Sequence, residues 1–375
     1  MSIVLKKFFI ILNPNIIIKQ STYNIIMKKI VFTGGGTLGH VMPNLYLMDE
    51  IKNDYECYYI GSKGIEKEKV KKLAEFYEIP AIKLVRGKII KNLKVPFILI
   101  DSIFKAKKIL KEIKPDVVFS KGGYVSLPVC IAAKILKIPI IAHESDSSFG
   151  LANKVILHIC SKMCVNFKTL ESKHKKIVYT GPIFSKQYDN KEKDYSNLNI
   201  DKSKRTILIV GGSLGSQKIN DNVIAILKDI LQDFNVIHIT GKGNKKVKSF
   251  DNYNAFEMVD NMVNLYNIAD FVIGRSGAGV TAECFFKQLP MILIPLENKA
   301  TRGDQLLNAK YYERLGVAKI VREQDLMPTL LLNEINNFSK NINNVKEKYK
   351  SIKQLNGKKK VVELINKYTN KKQTN

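Results

Sequence analysis

The sequence predicts an α/β protein made of two doubly wound halves, each built on a parallel sheet. From Lys29 onward, short β-branched or aromatic runs alternate with helix-length segments, which is the rhythm of βαβ units. A polar stretch from Asp189 to Lys204 interrupts this rhythm, which then starts again. Glycine-rich turns follow apolar runs in both halves. We therefore expect a cleft between the halves, with ligands at the carboxyl ends of the strands.

Each half contains six apolar runs that predict strands. In the first half they are KIVFT, YECYYIG, AIKLV, DVVFSKGG, PIIAHES and KIVYTG. In the second half they are TILIVGGS, NVIHITG, YNAFEMV, DFVIGRSG, PMILIPL and VAKIV. The lysine-rich chain after about Asn344 predicts one or two amphipathic helices. The expected segments are an N-terminal extension (1–26), a first domain (27–180), a linker (181–204), a second domain (205–345) and C-terminal helices with a basic tail (346–375).

Composition limits the class of protein. The chain has 375 residues, enough for two domains with their own cores, and no apolar run approaches the roughly 18 residues of a membrane span. The first 26 residues lack the long apolar core and small-residue cleavage site of a signal peptide, so we expect them to be dispensable. Five scattered cysteines indicate a reduced compartment, and no metal-ligand set accompanies them.

The formal net charge of +27 favours an anionic partner, which in principle includes nucleic acid. Only six of the basic residues are arginines, and the lysines are spread over the whole chain without a recognition motif. Most of these lysines are therefore expected on solvated surfaces, and a nucleic-acid-binding protein remains the alternative from a different class.

The first glycine loop, GGGTLGH (Gly34–His40), contains the spacing G-x-G-x-x-G. In a dinucleotide-binding domain the next strand ends in an acidic residue that holds the ribose. Here that strand ends in Gly61-Ser62, which argues against a dehydrogenase. The loop also places His40 at a helix start near Thr37, facing the expected ligand cleft.

Three more strand-end loops have the same character. They are Lys121–Tyr124, Gly211–Ser213 and Arg275–Gly279. Tight turning explains one such loop, but several of them across two halves indicate a cleft that binds phosphate and hydroxyl groups through backbone donors, without a P-loop lysine motif.

A set of motifs resembles one enzyme family in order and spacing. The motifs are FTGGGTLGHVMPNL, FSKGGYVSLPVCIAAK, AHESDSSFGLANK, VGGSLGSQKIN, GRSGAGVTAE and RGDQLLNA. This pattern is similar to that of the MurG-type glycosyltransferases of peptidoglycan synthesis, and it extends from about Lys28 to the last helices. The resemblance implies a GT-B fold and an inverting transfer of N-acetylglucosamine from UDP-N-acetylglucosamine to lipid I, giving the β-1,4 link of lipid II. It implies no cofactor and no bound metal.

The resemblance also assigns candidate site residues. His40 is the candidate base, although it could instead hydrogen-bond the substrate or orient the loop, and Glu144 is a second base or a positioning group. The acceptor-side candidates are Gly36, Gly39, Gly123, Tyr124 and Asn153. The donor-side candidates are Thr37, Leu38, Gly39, Lys186, Ser213, Val259, Ala278, Gly279, Glu283, Gln305 and Asn308.

Among the donor-side candidates, Glu283 would hold the ribose hydroxyls, Ser213 the diphosphate, the Val259 backbone the uracil, and Gln305 with Asn308 the sugar. Two departures from the family pattern affect the assignment. Many members have Gln-Asn after His-Glu, where this chain has Ser145-Asp146. Members also often have an arginine where this chain has Ser185, and Lys186 is expected to supply that charge.

The stretch from Arg86 to Ile100 mixes lysines with apolar side chains. A polyprenyl acceptor makes attachment to the anionic inner leaflet of the cell membrane the expected role of this stretch, and the protein is expected to be peripheral on the cytoplasmic face. An ordinary buried helix is the other interpretation. A glycolipid synthase of the same fold acting on diacylglycerol remains the alternative enzyme, although the pairing of GGGTLGH with HES and GLANK favours lipid I.

Overall fold

We describe a computed structural model of the chain, for residues 27–84, 92–212, 215–244, 250–297 and 303–373. The expected N-terminal extension (1–26) lies outside the described residues, as do Ser213 and much of the basic apolar stretch that begins at Arg86. Within the described ranges, none of the helices combines the length and apolar character needed to cross a bilayer.

The first half of the chain forms a seven-stranded parallel sheet in the order β3-β2-β1-β4-β5-β6-β7. Its strands are β1 (Lys28–Thr33), β2 (Tyr55–Gly61), β3 (Glu75–Glu78), β4 (Val117–Ser120), β5 (Ile140–Glu144), β6 (Lys162–Val165) and β7 (Ile177–Tyr179). Its helices are α1 (Leu38–Ile51), α2 (Ile65–Val70), α3 (Val95–Ile113), α4 (Ser126–Ile135) and α5 (Leu151–Ile159). Two 3-10 turns follow, Lys168–Lys173 and Lys186–Asp189.

The second half forms a six-stranded parallel sheet in the order β10-β9-β8-β11-β12-β13. Its strands are β8 (Arg205–Val210), β9 (Phe234–Ile239), β10 (Tyr253–Phe256), β11 (Phe271–Gly274), β12 (Met291–Leu293) and β13 (Ala318–Ile320). The helices are α6 (Gln217–Ala225), α7 (Leu227–Asp233), α8 (Met262–Ile268), α9 (Ala278–Phe286), α10 (Asp304–Arg314), α11 (Pro328–Lys340), α12 (Ile342–Lys350) and α13 (Lys358–Gln373).

Both sheets have the strand order of a doubly wound fold. In this fold successive strands are first added on one side of the first strand and then on its other side. In the first sheet this point lies between β1 and β4, where Ile30 is opposite Val117 and Thr33 is opposite Ser120. The central strands are buried on both faces, which explains their continuous apolar sequence. The predicted α/β fold with two Rossmann-like domains is confirmed, whereas the exact domain boundaries stay predictions.

Two strands differ from the sequence prediction. The third strand is β3 (Glu75–Glu78), and residues 81–84 of the expected strand AIKLV have no regular structure. Because β3 is an edge strand with one neighbour, polar residues are tolerated there and the apolar alternation that predicts strands is lost. The strand β6 was not predicted, because its four residues follow the apolar helix α5 almost directly.

The C-terminal helix returns to the first half of the chain. Gly357 N–H donates to the Pro182 carbonyl at 2.6 Å, so the two passages of the chain between the halves lie side by side. Helix α13 then packs on the first domain, where Val361 and Ile365 are fully buried. Tyr55 of β2 donates to Asn366 of this helix at 2.7 Å. The expected C-terminal segment is thus part of the core of the first domain.

Candidate active site

Three loops meet at the carboxyl end of the first sheet. The first, Gly34–Thr37, follows β1 and leads into α1, where Gly36, Thr37 and Gly39 are exposed. The second follows β4 and contains two successive glycines with positive φ, Gly122 (89°) and Gly123 (87°). Only glycine adopts this backbone readily, and it allows the two loops to approach closely.

The contacts between these loops leave little space for side chains. A Cβ on Gly123 would lie 3.1 Å from Nδ1 of His40 and 3.2 Å from the Gly35 carbonyl oxygen. A Cβ on Gly36 would lie 2.8 Å from the ring of Tyr124. The structure thus brings together four of the predicted acceptor-side or catalytic residues: Gly36, His40, Gly123 and Tyr124.

The imidazole of His40 is oriented by its own loop. Nδ1 lies 3.1 Å from the Gly35 carbonyl oxygen and 3.3 Å from Oγ1 of Thr37. A carbonyl oxygen only accepts hydrogen bonds, so a neutral His40 carries its proton on Nδ1 and presents Nε2 as the basic nitrogen. This tautomer is the one that a general base requires when Nε2 takes the proton.

Glu144 holds the third loop, residues 145–150, which follows β5. One of its oxygens accepts from Asp146 N–H at 3.1 Å, and the other accepts from Gly150 N–H and from the side-chain amide of Asn153, both at 3.0 Å. Asn153 also donates to the His143 carbonyl at 3.1 Å. Both oxygens are thus engaged with this loop and its helix, which favours the positioning role over the second-base role among the two predicted for Glu144.

The 145–150 loop also contacts the second domain. The side-chain oxygen of Asn308 on α10 accepts from Ser147 N–H at 2.9 Å, and its amide nitrogen donates to Asp146 at 3.1 Å. Ser148 donates to Asp304 at the start of the same helix at 2.8 Å. Asn308 is fully buried, so this predicted sugar-binding amide joins the domains in the structure as it stands.

The donor-side candidates surround the loop after β11. Arg275 at the start of this loop pairs with Glu323 and donates to the Ile294 carbonyl at 3.1 Å, which fixes the loop to its neighbour. Helix α9 then begins at Ala278. Apart from the adjoining backbone, a Cβ on Gly277 or Gly279 would meet no atom of the described residues within 4 Å. The first turn of α9 therefore has open space beside these two glycines, and the N-terminus of a helix is the end that favours an anion.

Gln305 lies beside this helix start. Its backbone carbonyl accepts from Ser276 at 2.8 Å, and its side-chain oxygen accepts from Leu296 N–H at 2.9 Å. Val259 follows β10 and is half-buried. These contacts bring Gln305, Ala278 and Gly279 together at the carboxyl end of the second sheet.

Glu283 lies one turn further along α9. Its carboxylate accepts from Tyr266 at 2.7 Å. Burial raises the pKa of Glu283 above its ordinary value, while hydrogen bonds from Tyr266 and Tyr188 act in the opposite direction. Tyr188 belongs to the linker, so this carboxylate connects the second domain to the segment between the domains.

Lys186 lies in the linker, beside the end of α1. It is 80% exposed and is 3.8 Å from Glu50 near the last turn of α1, whereas the glycine loop is at the first turn of that helix. Within the described ranges its charged partner is Glu50, and its role at the donor site stays a prediction. Ser213 lies outside the described residues.

Sequence reasoning missed two buried charged residues in the acceptor half. Glu66 on α2 is fully buried, and it accepts from the Ser62 hydroxyl at 2.5 Å and from Gly36 N–H at 3.4 Å. It thereby joins the tip of β2 to the first glycine loop. Lys121, directly before Gly122, is also buried. A charged residue next to a strand-end glycine loop was the signal available in both cases.

Comparison with known proteins identifies the family. A model of the glycosyltransferase family 28 N-terminal domain matches residues 30–165, and a model of the family 28 C-terminal domain matches residues 206–365. A Clostridium botulinum protein named UDP-N-acetylglucosamine–N-acetylmuramyl-(pentapeptide) pyrophosphoryl-undecaprenol N-acetylglucosamine transferase is 45% identical over 340 residues, which is 88% of this chain and 94% of that protein. The chain belongs to the MurG-type glycosyltransferases of family 28.

Other members of the MurG family agree. A Bacillus cereus transferase of the same name, numbered 2, is 40% identical over 351 residues, covering 90% of this chain and 98% of that protein. The crystal structure of Acinetobacter baumannii MurG has a TM-score of 0.73 and 25% identity, covering 91% of this chain and 99% of that one. A glycosyltransferase of kitacinnamycin shares the fold, with a TM-score of 0.69. The GT-B fold and the glycosyltransferase class are thereby confirmed.

Proposed function

We propose that this enzyme transfers N-acetylglucosamine from UDP-N-acetylglucosamine to lipid I, forming the β-1,4 link of lipid II in peptidoglycan synthesis. The observation that carries the proposal is the match, over nearly the full length of both partners, to transferases whose name states this donor and this acceptor. The site geometry supports it, since the acceptor-side loops and the helix that carries Gln305 and Asn308 meet at the 145–150 loop.

On the acceptor side, the backbone N–H groups of the exposed Gly39, in the first turn of α1, and of Gly123 would bind the lipid diphosphate, whereas Gly36, whose N–H donates to Glu66, would shape the loop. His40 would take the proton of the attacking sugar hydroxyl on Nε2, because its Nδ1 is committed to the Gly35 carbonyl. Tyr124, packed on Gly36, would close one side of this pocket. Glu144 and Asn153 would keep the 145–150 loop in place.

On the donor side, the leaving UDP gains negative charge as the glycosidic bond breaks. The N-terminal turn of α9, with Ala278 and Gly279, would stabilise that charge through its N–H groups. Glu283 would accept hydrogen bonds from the ribose hydroxyls, and the Val259 backbone would contact the uracil. Gln305 would contact the sugar. Lys186 is left out of this set, because its partner is Glu50.

We also propose that the enzyme binds the anionic inner leaflet through α3. Along this helix and the turn before it, four apolar side chains are exposed: Leu93 (63%), Phe97 (76%), Ile100 (52%) and Phe104 (65%). Phe97, Phe104 and the exposed Lys108 share one face by their spacing. Apolar side chains bordered by lysines are typical of a surface that enters the interface of an anionic bilayer.

An acceptor-choice assay tests the proposed reaction. Labelled N-acetylglucosamine is offered from the UDP sugar to a lipid I analogue and, in parallel, to diacylglycerol. We expect product only on lipid I, and a loss of about 10²- to 10⁴-fold in kcat for His40→Ala, the range for a general base. Transfer to diacylglycerol without transfer to lipid I would overturn the acceptor assignment. The surface variant Lys340→Met is the control.

A further inference from the structure

Lys121 is a buried ammonium at the centre of the acceptor half. Its side chain is 1% exposed, and its Nζ lies 2.5 Å from Oγ of Ser145. Its backbone N–H donates to the Thr33 carbonyl at the end of β1, and its Cβ is 3.1 Å from the position that a side chain on Gly34 would take. Lys121 therefore lies beneath the first glycine loop and reaches the 145–150 loop.

The contact with Ser145 has a defined direction. An ammonium group only donates hydrogen bonds, so the Ser145 oxygen accepts and its own proton is directed to another acceptor. A hydroxyl that accepts from a cation is a stronger donor, because the two bonds polarise one another. Ser145 is partly exposed whereas Lys121 is buried, so the hydroxyl is the part of the pair that a ligand in the cleft can reach.

The Lys121 ammonium also compensates nearby negative charges. The carboxylates of Glu144 and Asp146 belong to the segment that Ser145 occupies, and both lie close enough to Lys121 to interact with it electrostatically. Glu144 is held by loop amides, and Asp146 accepts from Asn308. Without the Lys121 charge, the loop would present two uncompensated carboxylates to any anion that enters the cleft.

We propose that Lys121 and Ser145 form a charge-assisted donor for the diphosphate of the polyprenyl acceptor. Ser145 makes the contact, and Lys121 is a positioning residue that acts through it. This inference rests on the proposed function and adds to it two residues that the candidate site did not include; many members of the family have glutamine at the position of Ser145. The pair thus gives this chain a substitute for that amide.

The charge of Lys121 makes the interaction dependent on pH. Burial lowers the pKa of Lys121 to about 8, while Glu144 and Asp146 oppose the shift. The other titratable groups nearby are His143, buried on β5, and His40, across Gly123 from the loop. Burial and the Lys121 charge keep the pKa of His143 well below its ordinary value, so it stays neutral. Loss of the Lys121 proton above pH 8 should therefore weaken acceptor binding.

Steady-state kinetics with a lipid I analogue test the pair between pH 6.5 and 9. For wild type, we expect the acceptor KM to rise above pH 8 while the donor KM stays constant. Lys121→Met and Ser145→Ala should each raise the acceptor KM at pH 7 by tenfold or more, which corresponds to one charge-assisted hydrogen bond. The double variant should be no worse than the poorer single variant, and Lys121→Arg should keep its affinity at pH 9.

Three results would overturn the inference: an acceptor KM within twofold of wild type in Ser145→Ala, independent multiplicative effects of the two substitutions, or equal changes in donor and acceptor KM. Thermal melting checks each variant, with Lys340→Met as the matched control. If Lys121→Met does not fold, Ser145→Ala and the wild-type pH profile still decide the question. Failure of the proposed function is distinct, because wild type would then form no lipid I product at any pH.

Discussion

Glu283 is the residue whose protonation state should control donor binding. It is held by Tyr266 and must be ionised to accept two hydrogen bonds from ribose hydroxyls. Burial raises its pKa, so the folded enzyme binds this proton at a higher pH than an ordinary glutamate does. Donor binding is therefore complete above the raised pKa and is lost as the pH falls through it.

This predicts a rise in the KM for UDP-N-acetylglucosamine on the acid side of the profile. Glu283→Gln should raise the donor KM at neutral pH by roughly tenfold, the effect of one hydrogen bond to a charged group, and should remove the acid-side rise. Donor titrations by calorimetry at several pH values measure it. Glu347→Gln, on the surface, is the control. A pH-dependent donor affinity that persists in Glu283→Gln would contradict this role.

Some residues of the site could be predicted from the sequence and others could not. The glycine loops and His40 were predictable, because strand, turn and helix start are local patterns. Glu66 and Lys121 were not, because a charged residue beside a glycine loop is usually solvated, and only the packing of α2 and of the 145–150 loop buries these two. Lys186 was expected to supply the charge of the arginine that family members have at the position of Ser185, and its pairing with Glu50, which is distant in sequence, could not be predicted.

At the scale of elements, α13 shows how the end of the chain stabilises the beginning. Val361 and Ile365 pack with Ile30, Phe32 and Val117 of the first sheet. Lys358 at the start of the helix pairs with Glu50 of α1 at 2.6 Å. The sequence predicted an amphipathic helix here, but its partner surface could not be predicted, since apolar periodicity does not specify what the apolar face contacts.

Removing one buried side chain of α13 should destabilise the first domain. Ile365→Ala is expected to lower the free energy of unfolding by about 2 to 4 kcal/mol, the usual cost of truncating a fully buried isoleucine. Denaturant unfolding measures it, and Lys367→Ala on the exposed side of the helix is the control. A loss below about 0.5 kcal/mol would show that the helix does not complete this core.

At the scale of the whole molecule, two sheets were predictable because the βαβ rhythm and its restart at the linker extend over the entire chain. The contact between the domains was not predictable. It includes the hydrogen bonds of Asn308 with the 145–150 loop, which lies more than 150 residues away in the sequence. The exposed face of α3 was expected only as one of two interpretations, and the exposure of Phe97 supports the membrane one.

The membrane proposal predicts binding to vesicles that contain anionic lipid. Phe97→Asp should weaken this binding by roughly tenfold or more, because it removes a large apolar side chain from the interface and adds a negative charge. Vesicle sedimentation at low and high salt measures the change. Met327→Asp, at an exposed apolar site in the other domain, is the control. Equal binding of wild type and Phe97→Asp would exclude α3 as the contact.

The most direct test of the whole account is the structure of the product. Wild-type enzyme is incubated with UDP-N-acetylglucosamine and a lipid I analogue, and the disaccharide is examined by NMR for its anomeric coupling and its site of attachment. An inverting transfer by the His40 base predicts a β link to the 4-hydroxyl of N-acetylmuramic acid. An α link, attachment at another hydroxyl, or release of free N-acetylglucosamine alone would contradict it.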